Sequence, residues 1–165
     1  MGLHWDLGTT VLYEAGQLIR GNVEIENPSE GYVDTFDTYL WGVLCDAEGN
    51  PIEGTMFSLI WNGSLGYAEA VFGDPLPSPT IWEVSPTVPT KTIPIGLEFD
   101  RTNVFLVLNW CERAGAGIDI DEDPVFGTLV TALSEPPSMM EQMMPMIGMV
   151  MVLGVLGAVM RSMTK

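Results

Sequence analysis

Positive charge is the scarcest feature of this 165-residue chain: six lysines and arginines stand against 22 aspartates and glutamates. Binding to DNA or RNA rests on Lys and Arg neutralising phosphates and releasing counterions, so direct nucleic-acid binding is excluded as a function. Histidine occurs once, at His4, close to the N-terminus. A Ser–His or Cys–His nucleophilic pair is correspondingly improbable. A zinc site fails as well, because only two cysteines, Cys45 and Cys111, accompany that histidine and lie far apart in sequence. Two cysteines do not make a disulfide-rich scaffold, and both close strand-like runs, which favours buried free thiols over a bridge. Phosphate loops and dinucleotide-binding glycine fingerprints are missing. Asn62-Gly63-Ser64-Leu65-Gly66 is not a nucleophile elbow, since Asn62 stands where the first glycine belongs. Residues 1–6 offer neither the basic nor the apolar stretch of a secretory signal, so the expectation is either a chain that stays in the compartment of its synthesis, which Met1 favours, or one whose signal was removed before this numbering begins. No cofactor is expected, and the sequence argues against an enzyme.

The acidic side chains are unevenly placed. Before Met139 there are four basic and 21 acidic residues, a net charge of −17. Such a surface stays soluble under crowding and suits a cation-rich setting.

That acidic region reads as short strands divided by turns. In Leu18–Ile25, Ile19, Gly21, Val23 and Ile25 alternate with Arg20, Asn22 and Glu24, the signature of a half-buried antiparallel strand. Val33–Cys45 is apolar on both faces and belongs in the middle of a sheet. Thr55–Trp61 and Tyr67–Phe72 flank Asn62-Gly63, a hairpin dipeptide because both residues tolerate positive φ. Between Asp74 and Pro94, six prolines break the ladder repeatedly and leave room for one short edge strand, Ile81–Val84. Ile93, Ile95, Leu97 and Phe99 alternate again, Asn103–Cys111 is apolar on both faces, and Phe126–Leu133 is the last strand. Seven to nine strands without an amphipathic helix predict an all-β sandwich over residues 1–134.

Gly21-Asn22-Val23-Glu24-Ile25-Glu26-Asn27-Pro28, then a strand bearing Tyr39, Leu40 and Trp41, then the Asp46-Ala47-Glu48-Gly49 turn, resembles immunoglobulin-like modules of archaeal and bacterial surface proteins. The resemblance covers roughly residues 15 to 112. It implies an antiparallel immunoglobulin-like sandwich and carries no activity; a jelly roll would give a similar sequence.

The C-terminal segment differs in kind. Nine of the 11 methionines fall in it, and Met143 to Met160 contains 18 consecutive residues without a charge. That length meets the threshold for a membrane-spanning helix. A Pro-rich hinge at 135–138 precedes it, and Ser138 with Glu141 fits a capping box, so a hydrophobic helix is expected over 139–163. Pro145–Met163 is 19 residues, about 28 Å as a helix. Gly148, Gly154, Gly157 and Ala158 are small residues that allow helices to approach closely, Gly154 and Ala158 at the small-xxx-small spacing. The run is expected either to enter a lipid membrane through residues 143–160 or to pack with copies of itself. Arg161 and Lys165 beyond it place the C-terminus on the cytoplasmic side. A virion protein reconciles that orientation with the lack of an export signal, because it joins a membrane during assembly.

Three further sites are candidates. Asp119, Asp121 and Asp123 alternate on a loop and are the candidate calcium ligands, although the EF-hand glycine and terminal glutamate are missing; a solvated acidic loop is the competing reading. Trp82, set among prolines, is the tryptophan expected to face a partner. Asn62-Gly63-Ser64 is a glycosylation sequon that matters only outside the cell. The expected function is a non-enzymatic structural protein of a multi-copy assembly, most simply a virion component whose partners are its own copies and other subunits. The alternative is a membrane-anchored cell-surface adhesion or pilus-like module.

Overall fold

A computed structural model describes residues 2–139 and 141–144. The chain divides into two units, Met1–Glu135 and Pro136–Lys165. The first is all-β. Its ten strands are β1 (Leu3–Trp5), β2 (Thr10–Leu12), β3 (Leu18–Glu26), β4 (Phe36–Cys45), β5 (Phe57–Asn62), β6 (Tyr67–Phe72), β7 (Trp82–Val84), β8 (Thr90–Glu98), β9 (Val104–Glu112) and β10 (Val125–Ser134). They hydrogen-bond in the order β1-β3-β8-β6-β5-β4-β9-β10-β2, with β7 beside β4.

Two long ladders carry most of the pairing. β3 runs antiparallel to β8 from Leu18–Glu98 to Glu26–Thr90. β9 lies between β4 and β10, antiparallel to both. The β5–β6 hairpin bridges the two ladders through brief contacts: Trp41–Ser58 and Gly42–Phe57 on one side, Ala68–Ile95 and Glu69–Gly96 on the other. On the opposite side the N-terminal segment makes the crossing. β1 pairs antiparallel with β3, the chain turns through Gly8 at φ 73°, and β2 pairs parallel with β10.

The unit is all-β, as expected, and its pairing is mixed where an antiparallel arrangement was expected: β6–β8 and β2–β10 run parallel. The ladders join into one curled, mixed sheet, because segments at both sides pair with each half. The two N-terminal strands complete it, and sequence reading missed them although Leu3, Trp5 and Leu7 alternate with His4 and Asp6.

Alternation puts one side of each strand in the core. Val23 and Ile25 of β3, Ile93, Ile95 and Leu97 of β8, Leu40 and Leu44 of β4, and Leu106, Leu108 and Trp110 of β9 meet there, all with essentially no solvent contact. Gly42 is needed in β4, since a Cβ would overlap the Phe57 ring and the Val107 carbonyl. Pro94 lies inside β8 rather than in the preceding connection; it faces Asn22 of β3, and the β6 pairing begins only at Ile95. The Asn62 hairpin forms with a different turn from the one expected. Four residues intervene between the strands, positive φ falls on Gly66, and the Asn62 side-chain oxygen accepts from the amides of Ser64 (3.1 Å) and Leu65 (3.3 Å).

Tyr13 fixes the β2–β3 corner. Its buried hydroxyl donates to the Phe99 carbonyl and accepts from the Phe99 amide at 2.8 Å and the Gly16 amide at 3.3 Å. Tyr13→Phe strands the Phe99 amide and lowers stability by about 1–3 kcal/mol, read from a urea titration. A loss within about 0.5 kcal/mol, the range of an ordinary surface change, contradicts that role.

In the second unit, Ser138 caps a helical start. Its hydroxyl accepts from the Glu141 amide at 3.2 Å, and the Glu141 carboxylate accepts from the Ser138 amide at 2.9 Å. Among the described residues no helix is long and apolar enough to cross a membrane. The expected helix beyond Met144, and with it Pro145, Gly148, Gly154, Gly157 and Ala158, lies outside the described residues.

Candidate functional site

The Asp119–Asp123 loop follows β9 and leads into β10. Its carboxylates do not converge. Asp123 is buried and turned inward: it accepts from the Tyr39 hydroxyl at 2.7 Å, the Asp119 amide at 3.0 Å and the Ala114 amide at 3.1 Å. The Asp119 carboxylate accepts from the amides of Asp121 (3.1 Å) and Glu122 (3.3 Å), while the Asp121 side chain faces solvent. Among the described residues no group of three His, Cys, Asp or Glu side chains has the geometry to hold a metal ion. In this arrangement Asp123 is a fastener. It ties the 113–123 loop to Tyr39 on β4.

The electrostatics of that fastener are uneven. Burial pushes the Asp123 carboxyl upward, but the Asp119 amide, the Tyr39 hydroxyl and the Ala114 amide outweigh it, and the net shift is downward. Tyr39 moves the other way, well above its ordinary 10.0, through burial first and the bond to Asp123 second. Asp6 and Asp46 are also lowered, by amide hydrogen bonds from Asn22 and Asn50 respectively.

The signs give a pH profile. Carboxylates with a depressed folded pKa stabilise above their unfolded pKa, about 3.9, and lose that contribution as pH falls through the folded value. A tyrosine with a raised folded pKa stabilises fully below about 10 and loses its contribution as pH climbs beyond. The urea midpoint is therefore flat from about pH 5 to 8 and falls on both sides, the alkaline fall beginning with the two buried thiols, whose pKa values burial raises, and continuing with Tyr39. A midpoint that keeps rising above pH 10 would contradict the Tyr39 assignment.

Trp82, the expected partner contact, is half-buried on β7. It packs edge-on against Trp61, with ring centroids 6.1 Å apart, and Trp61 is the more exposed ring. The cysteines are free and buried. Tyr39 faces Cys111 and Cys45 faces Phe105, so six ladder steps, about 20 Å, separate the thiols. A disulfide needs Cα atoms within about 7 Å. Burial raises both thiol pKa values. His4 is exposed on β1 opposite Glu24.

Several clefts open to the surface. One of about 360 Å³ is lined by Val43, Pro51, Ile52, Met56, Phe72 and Asp74. Another of about 320 Å³ is lined in part by Glu98, Asp100 and Arg101, where Arg101 already pairs with Asp100 at 3.1 Å.

Sequence reading did not single out one surface. With Leu106, Leu108, Trp110 and Leu133 in the core, alternation turns Phe105, Val107 and Asn109 of β9 outward, together with Thr128, Val130 and Ala132 of β10. Thr10 and Leu12 of β2 extend the same face, opposite Ala132 and Ser134. None of these eight positions is charged. The outward side of β3, β8 and β6 instead carries Arg20, Glu24, Glu69 and Glu98.

Compared with known protein families and with curated proteins, the chain matches neither a family model nor an individual protein.

Proposed function

We propose that this chain is a non-enzymatic structural subunit of a multi-copy assembly, most simply a virion component whose acidic β head is held by its apolar C-terminal segment. The observation that carries this reading is the division of the chain. An all-β unit ends at Glu135, a capped helical start follows at Ser138, and the sequence then runs through 18 residues without charge. The groups that sequence reading offered for chemistry support the same conclusion. Asp123 fastens a loop, and both thiols are buried.

We read the curled sheet as an immunoglobulin-like sandwich in preference to a jelly roll. Support comes from the neighbour pairs β3–β8 and β4–β9–β10, which match the B–E and C–F–G neighbours of that architecture. The test is sedimentation of the full chain in mild detergent. Species much larger than one chain are expected, and a chain that stays monomeric at every concentration overturns the proposal.

One observation favours the alternative, an anchored cell-surface adhesion or pilus-like module. The Asn62-Gly63-Ser64 sequon sits at an exposed turn of the β5–β6 hairpin. A glycan on Asn62 of the native protein would decide for that reading.

A further inference from the structure

Apart from Cys111, which is buried beside Tyr39 at one end, the outward face of β9, β10 and β2 is partly exposed among the described residues, whereas the outward side of β4 next to it is covered. Tyr39 lies under the 113–123 loop through its bond to Asp123, and Val43 and Cys45 lie against the segment beginning at Pro51. One strand further on, Phe105 remains 37 % exposed, Val130 50 % and Leu12 60 %. The face is uncharged and mixed, with Thr128 bonded to Asn109 at 2.9 Å, and its exposed Phe105, Val130 and Leu12 gain from being covered.

Charge selects what covers it. The head carries −17, and its opposite sheet face bears Arg20, Glu24, Glu69 and Glu98. A basic partner would be drawn to the acidic side and would gain nothing on this one. A second copy brings an identical uncharged face. Apposing the two faces about a two-fold axis turns the acidic sides away from each other, the arrangement of least like-charge repulsion for two such heads.

We infer that the outward face of β9, β10 and β2 is the surface through which two copies of this chain pack face to face. The inference rests on the multi-copy reading above and adds the surface that performs it. The face is small. Three strands at about 4.8 Å and about five residues at about 3.3 Å give roughly 14 by 17 Å. A standard stable interface buries about 800 Å² on each partner. Pairing is therefore weak between free heads and becomes effective where another contact already concentrates the copies.

The test is cysteine cross-linking of the full chain in mild detergent with a short bis-maleimide. Cys45 and Cys111 are buried and do not compete in the folded protein. Val130→Cys places the reporter on the face, and Val88→Cys places one on an exposed turn away from it. The expected result is several-fold more cross-linked dimer from Val130→Cys than from Val88→Cys, abolished when Phe105→Lys is added. Unchanged melting temperatures establish that the variants fold; should Phe105→Lys unfold, Leu12→Lys on β2 takes its place. Equal cross-linking at both positions overturns this face and leaves the multi-copy reading standing. No cross-linking at either position, with a monomer in light scattering, overturns both.

Discussion

Trp110→Ala lowers the stability of the β head by about 3–5 kcal/mol, the largest loss expected from a single substitution in this chain. Trp110 points inward near the C-terminal end of β9 with no solvent contact and is among the largest fully buried side chains. It packs against Phe126 with ring centroids 5.1 Å apart, and its ring also fills the space where a side chain at Gly2 would stand. Truncation opens a cavity where the β4–β9–β10 ladder meets the N-terminal strand. Trp110→Phe is expected to cost less than half as much. The indole N–H is buried without a hydrogen-bond partner, so removing it forfeits packing volume but no bond. Urea unfolding followed by circular dichroism measures both variants. A Trp110→Ala loss under about 1 kcal/mol would mean that the ring is not part of the core.

Asp123→Ala has the second-largest expected effect and acts locally. The substitution leaves the Tyr39 hydroxyl buried without an acceptor and releases the amides of Ala114 and Asp119. Hydrogen bonds to a charged group are worth about 1.5–3 kcal/mol, which sets the scale of the loss. The readout that separates this from a general weakening is hydrogen exchange. Amides in the 113–123 loop should lose protection while those of β3 and β8 keep it. Asp123→Asn retains one acceptor and should recover part of the loss. Unchanged protection of the loop after Asp123→Ala would show that the carboxylate does not hold it.

Burial along strands was legible because a two-residue period carries it. The alternation of Ile19, Val23 and Ile25 with Arg20 and Glu24 places β3, and the doubly apolar run ending at Cys45 places β4 inside the sheet. The acidic loop was legible only as a cluster. Spacing in sequence suggested three carboxylates facing one ion, yet the fold turns Asp123 inward toward Tyr39, 84 residues away, a partner no local pattern encodes.

The N-terminal strands were missed for another reason. Each has three residues, too few for periodicity to stand out, and their role of closing the sheet depends on partners at opposite ends of the chain. The hairpin at Asn62 was recognised from its dipeptide, but the turn was set by Gly66, three residues later than that pair implies. Asn103–Cys111 is apolar on both sides in sequence, and β9 lies between β4 and β10. Only the structure shows that its outward side, buried at Cys111, stays partly exposed from Phe105 to Asn109 among the described residues.

Electron microscopy of the native full-length protein, purified gently, tests the structural-subunit proposal most directly. Regular shells, spikes or filaments built from repeated heads are the predicted result. Isolated heads, one to a micelle and unchanged on concentration, would contradict it.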